Sequence, residues 1–154
     1  MDGFISNLRD QLWPEIRDRE SARKAAIQGF AGATFQALSD VAIAAWAASK
    51  ASLFGVKPAI FIIAAAIFAA IAIGIFRLAR AAAVAGLVLF LPTQIWFLLS
   101  DRSAADFFRT FMLTIAFGLL FANGVRGTFA YRRFMAGDPG AVPPRLNKPE
   151  KQAL

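Results

Sequence analysis

The chain contains neither cysteine nor histidine. Without thiols there is no disulfide framework, and cysteine usage says nothing about redox compartment. Without either residue type, Cys/His zinc sites, His-ligated haem, and Ser-His-Asp or Cys-His catalysis are excluded. No acid pair is spaced for general acid–base work, and no carboxylate set for a metal. The reading is of a protein with no catalytic activity, no cofactor and no metal. Charge is also scarce: 18% of the 154 residues are charged, against 58% hydrophobic. A soluble domain of this length cannot hide that much apolar side chain, because small domains keep a large surface. The excess is expected to face lipid.

What the chain does have is four apolar runs, at residues 27–53, 58–76, 81–99 and 107–131. Each has roughly 20 or more residues, the length that crosses about 30 Å of hydrocarbon as a helix. Helices satisfy their own backbone hydrogen bonds, as lipid requires. Membrane strands would be about half as long and would alternate in polarity, which these runs do not. The links, "GVK" near 55–57, "RLAR" at 77–80 and "SDRSAAD" at 100–106, are short, so consecutive helices should lie antiparallel and adjacent. The expected fold is all-α: a polytopic, up-down antiparallel bundle of four transmembrane helices.

The net charge of +7 would point to nucleic acid in a soluble protein. Here the basic residues cluster at the ends of apolar runs, so lipid headgroups and membrane orientation account for them and nucleic acid is not expected. Four spans put both termini on one side. With the termini inside, that side holds Arg9, Arg17, Arg19, Arg23, Lys24, Arg77, Arg80, Arg126, Arg132, Arg133, Arg145, Lys148 and Lys151. The other side holds Lys50, Lys57, Arg102 and Arg109. Thirteen against four predicts cytoplasmic termini. Trp46, Trp96 and Phe97 then fall near the outer boundary, where interfacial aromatics collect. The apolar run after the long charged leader exceeds a signal core, so the first run reads as an uncleaved span despite "AWA" at 45–47.

Residues 1–26 read as a cytoplasmic segment. Phe4, Ile5, Leu8, Leu12, Trp13 and Ile16 form a stripe with polar residues elsewhere on the wheel, predicting an amphipathic interfacial helix that meets lipid or a partner protein. Pro14 should kink it or begin a second helix. Residues 132–154, with "GDPGAVPPRLNKPEK", read as a disordered basic tail.

The sharpest functional clue is Asp40, a carboxylate inside the first run. It lies thirteen residues from Ile27, about 20 Å along a helix. Gln94 lies thirteen residues from Ala81 in the third run, so the two should share a depth. Pro92 frees the carbonyl of Val88 nearby. Depth matching predicts an intramembrane polar cluster of Asp40, Gln94, Thr93 and Thr114, with Thr110 in a similar layer and Gln36 one turn below Asp40. Arg109 is the nearest cation. Inserting a charged Asp costs about 2.5–3.5 kcal/mol, which donors or a cation would have to offset. Asp40 is then either hydrogen-bonding glue between helices, a proton- or cation-binding carboxylate, or a side chain reaching outward to the interface.

Arg77, Arg80, Arg126, Arg132 and Arg133 approach one surface and could hold anionic lipid phosphates beyond simple orientation. Ala66, Ala70 and Gly74, and Ala82 and Gly86, are spaced for close helix contact. Asn123, Gly124 and Gly127 permit close packing or a helix end. "GIFRLARAAAVAGLVLFL" (74–91) and "NGVRGTFAYRRF" (123–134) resemble a loose group of small four-span bacterial membrane proteins. That resemblance implies a bacterial inner-membrane (plasma-membrane) protein and supplies no activity. Where this chain has "GTFAYR", members of the group read "GTFAYH".

Two functions follow as expectations. One is an accessory, assembly or lipid-contacting component of a larger membrane complex. The alternative is a small oligomeric transporter or channel coupled to a proton or cation at Asp40. An acid in the first of four spans resembles the small multidrug transporters in layout alone; their sequence motifs are absent.

Overall fold

The computed structural model describes residues 13–49, 57–100 and 104–137. They form four helices: α1 (Arg19–Ser49), α2 (Pro58–Phe76), α3 (Arg80–Ser100) and α4 (Ala104–Met135). The fold is all-α. Three of the helices, over Pro58–Phe76, Arg80–Leu99 and Phe107–Met135, are long and apolar enough to cross a membrane. At 31 residues α1 is long enough, but Gln36, Ser39 and Asp40 dilute its apolar run, and it is not among those three. Residues 1–12, which hold most of the expected interfacial helix, lie outside the described residues, as do residues 138–154 of the expected tail.

Helix boundaries follow local chemistry. Residues 13–18 are not helical, so Pro14 begins no helix. The start moves to Arg19 because Asp18 caps it: the Ser21 N–H donates to Asp18 Oδ1 at 2.7 Å, and the Asp18 N–H donates to Ser21 Oγ at 3.0 Å. Pro58 occupies the first turn of α2 after an extended Lys57, where its missing N–H costs nothing. At the other end of α2 the Leu78 N–H reaches the Ile75 carbonyl and the Ala79 N–H the Gly74 carbonyl, at 2.8 and 2.9 Å. This is a Schellman stop with Leu78 left-handed, at φ 59°. α4 runs to Met135, four residues past the expected end of the span.

Contacts between the helices give their directions. Gly29 meets Gly124, and Gly32 meets Leu120, while Phe35 stacks on Phe117 at 4.8 Å; α1 and α4 are antiparallel. Gly74 meets Ala82, and Gly86 meets Ile71, which sets α2 against α3 in the same way. α1 packs on both α2 and α4, and α3 on α4 and α2, the arrangement of an up-down bundle. The core is aromatic: Phe68, Phe90 and Phe121 are buried with Ile71, Ile75 and Ala83, and Phe90 meets Phe121 at 5.0 Å.

Of the small residues expected to make close contacts, Gly74, Ala82 and Gly86 do so across α2 and α3, and two do not. Ala66 and Ala70 face outward; Phe61, Ala65, Phe68, Ala72 and Ile75 turn inward instead. Only Gly74 of that trio makes a tight contact. The α1 and α4 backbones also approach closely. A Cβ on Gly124 would stand 2.8 Å from Gly29 Cα, and one on Gly127 2.6 Å from the Ala22 carbonyl oxygen. Asn123, Gly124 and Gly127 therefore serve packing, not a helix end.

Candidate functional site

Two regions carry polar chemistry. The first surrounds Asp40. On α1, Ala33, Gln36, Asp40, Ala44 and Ala47 fall on one buried face, spaced at three and four residues as a helix face requires. Asp40 is 5% exposed and Gln36 8%. Gln36 Nε2 donates to Asp40 Oδ1 at 3.1 Å. Asp40 Oδ2 is buried and finds no hydrogen-bond partner among the described residues. Thr34 Oγ1 is the other buried atom in that condition.

On the neighbouring helices, Thr114 Oγ1 donates to the Thr110 carbonyl at 2.8 Å and approaches Gln94 Oε1 at 3.4 Å. Thr93 turns back on its own helix, donating to the Leu89 carbonyl at 2.9 Å. The expected cluster thus divides into two pairs, Gln36–Asp40 and Gln94–Thr114, with Thr93 in neither. Their relative height is set by the aromatic layer beneath. Phe35 stacks on Phe117, and Phe117 meets Phe90 at 6.5 Å. Asp40, Gln94 and Thr114 each lie about one helical turn, roughly 5–8 Å, beyond that layer, away from the α2–α3 turn. Arg109 lies farther along α4 in the same direction, on an exposed surface. Exposed Trp46 and Trp96 mark the same end of the bundle.

The second region is the opposite, basic end. Arg126 lies with its guanidinium 3.9 Å from the centroid of the Trp13 ring. It also donates from Nη1 to Asn123 Oδ1 at 3.1 Å. Asn123, fully buried, donates in turn from Nδ2 to Gln28 Oε1 at 2.7 Å. This chain of contacts ties the segment before α1 to α4 and α4 to α1. Arg80 lies over Phe129 at 4.9 Å, and Arg19 Nη2 donates to the Phe134 carbonyl at 3.2 Å. Arg77, Arg132 and Arg133 are exposed around them. Among the described residues no carboxylate pairs with Arg77, Arg80, Arg126, Arg132 or Arg133; the ion pairs there are Lys24–Glu20 at 2.8 Å and Arg17–Glu15. The Glu20 hydrogen bond raises the Lys24 pKa, and Ser21 lowers that of Asp18.

The sequence reading missed the Trp13–Arg126 and Gln28–Asn123 contacts. Gly29 on α1, facing Gly124 on α4, with Gly127 one turn on against Ala22 and Ala26, held the available signal. A glycine pair at matching depth, with Gly127 against alanines beside it, brings the backbones close enough for the flanking amides of Gln28 and Asn123 to meet. No group of three or more potential metal ligands occurs among the described residues. Comparison of the chain with protein-family models, with curated proteins and with solved structures gives no match.

Proposed function

We propose that this is a four-span integral protein of a bacterial inner membrane, with cytoplasmic termini, acting without catalysis as a lipid-contacting accessory or assembly component. α1 supplies the fourth span, its diluting polar groups Gln36 and Asp40 being turned inward. The observation that carries the reading is the basic end. Five guanidiniums without carboxylate partners among the described residues gather where three membrane-length helices begin or end. Arg80 and Arg126 are held there by aromatic faces, which orient a guanidinium without neutralising it. Such groups match lipid phosphates at headgroup depth. Only 28%, 17% and 17% of the three apolar spans is buried inside the bundle. That leaves wide apolar faces for acyl chains or for the spans of a larger complex.

The test is purification in a mild detergent, with mass spectrometry of bound lipid and co-purifying protein. Enrichment of anionic phospholipid over its share in the membrane is expected, and its loss when Arg77, Arg80, Arg126, Arg132 and Arg133 are replaced by Gln. Recovery of a free species carrying bulk lipid composition, with every membrane complex intact in the deletion strain, would refute the reading.

A further inference from the structure

Asp40 is poorly placed for the role of interhelical glue. A glue residue bonds across to another helix. Asp40 accepts from Gln36 on its own helix, one turn away, and its second oxygen is buried and unpartnered among the described residues. An acid that crosses to no other helix still costs about 2.5–3.5 kcal/mol to insert when charged. Nor does the side chain reach outward to water, since it is 5% exposed. Two of the three roles open to it are thereby weakened.

The surroundings favour the third. Apart from Asp40, α1 carries no ionisable side chain between Ile27 and Ala48. α2 carries none between Pro58 and Phe76, and α3 none between Ala81 and Leu99. α4 contributes Arg109 alone along Phe107–Val125, on the exposed surface toward the far end. The carboxyl thus has no buried countercharge among the described residues. Near it are neutral oxygen groups: Gln36 one turn toward the basic end, bonded to it, and Gln94 and Thr114 at its own height. Toward the basic end lie Phe90, buried, and Phe117, half-buried, with Phe35 stacked on Phe117 from the exposed surface. Toward the far end the same face of α1 continues with the small side chains Ala44 and Ala47.

We propose that Asp40 is the binding carboxylate of a small-cation site, for a proton or an alkali cation, about one helical turn beyond the phenylalanine layer. A bound cation would satisfy Oδ2 and neutralise the only charge at that height among the described residues, while Gln36 holds Oδ1 in place. The proposal rests on α1 lying in the bilayer, a reading tested separately. Four spans put reporters at both termini on one side and three put them on opposite sides; loss of the site with agreeing reporters would remove the site alone.

The experiment treats the full-length protein in detergent with dicyclohexylcarbodiimide, which attacks protonated carboxyls in apolar surroundings, and maps the adduct by mass spectrometry. An adduct on Asp40, absent in Asp40→Asn, is expected. Sodium chloride in place of choline chloride separates the two ligands: severalfold protection identifies an alkali cation, and unchanged labelling identifies the proton. Infrared spectroscopy provides a second reading that does not depend on reagent access, through a carboxyl or carboxylate band that responds to pH or sodium and is missing in Asp40→Asn. An unlabelled Asp40 together with a carboxylate band indifferent to both pH and sodium would overturn the proposal.

Discussion

Replacing Gly124 by Ala tests the α1–α4 contact directly. The new Cβ would stand 2.8 Å from Gly29 Cα, about 1 Å inside an ordinary carbon–carbon separation of roughly 3.5–4.0 Å. The obstructing atom is backbone, so no rotamer change relieves it, and the helices must move apart. Overpacking of this kind costs about 1–3 kcal/mol. The separation also strains the adjacent Asn123–Gln28 bond at 2.7 Å; such bonds in membranes contribute about 0.6 kcal/mol and at most about 1.7. Helix propensity offsets part of this, since Ala is favoured over Gly by about 0.8–1.0 kcal/mol. The net expectation is a loss of about 1–3 kcal/mol. Gly118 on the same helix has nothing within 4 Å of its would-be Cβ, so Gly118→Ala should keep the propensity gain and stabilise by up to about 1 kcal/mol. The measurement is reversible unfolding in mixed micelles against dodecyl sulfate mole fraction, followed by far-ultraviolet circular dichroism. Opposite signs are expected. Equal shifts for the two variants would refute the account of the α1–α4 contact.

Further outcomes follow from other contacts. In a Trp46→Phe/Trp96→Phe background, Trp13 is the remaining indole, and Arg126→Gln should shift its emission because the guanidinium over its ring is gone; an unchanged spectrum would dissociate the two residues. The Asp18 pKa is lowered by Ser21, so its contribution is present above the ordinary value of 3.8 and is lost as pH falls through the lower folded value. Amide exchange at Ser21 should accelerate over that acid window, and Asp18→Asn, which caps without titrating, should abolish the pH dependence. Leu78→Gly should stabilise by about 1 kcal/mol, because glycine adopts the left-handed stop without the Cβ penalty; a loss by the same unfolding assay would mean that the Leu78 side chain contributes more than its backbone costs. Reporter fusions at both termini should read cytoplasmic and one in residues 101–106 periplasmic, while termini on opposite sides would leave three spans.

Periodicity and length made the helices legible. α2 and α3 match their apolar runs within one residue at each end because Pro58 and the Arg77–Ala79 stop punctuate the chain in ways that local chemistry dictates. The start of α1 was less legible, because Pro14 was a visible signal while the Asp18–Ser21 exchange depends on both side chains meeting. Small-residue spacing was ambiguous for a related reason. In an alanine-rich helix every face has a stripe of small residues, and only bulky partners decide which stripe turns inward. Phe61 and Phe68 share a face with Ala65 and Ala72, and burying the phenylalanines carried Ala66 and Ala70 outward. For the site, counting residues from the span starts put Asp40, Gln94 and Thr114 in a common layer but could not say which atoms bond. Hydrogen bonding in that layer goes first to a neighbour one turn away, as Gln36 to Asp40 and Thr93 to the Leu89 carbonyl show.

The two ends of the bundle are built on opposite terms, and that difference bears on what Asp40 can do. At the basic end the α1 and α4 backbones touch at glycines, amides bridge the helices, and rings lie under guanidiniums. Backbone contact and side-chain bonding reinforce each other there, so that end resists displacement as a unit. Beyond the phenylalanine layer Thr114 approaches Gln94 at a long 3.4 Å, and alanines line the buried face of α1. A carboxyl whose occupancy changed would act on this alanine-lined half while the glycine contacts of the other half held the helices in register. Moving Asp40 three turns toward Gln28 would set it among the glycine contacts, where no neighbouring backbone could yield to it. Its place one turn beyond the aromatic layer is where a change of charge can be felt without unlocking the bundle.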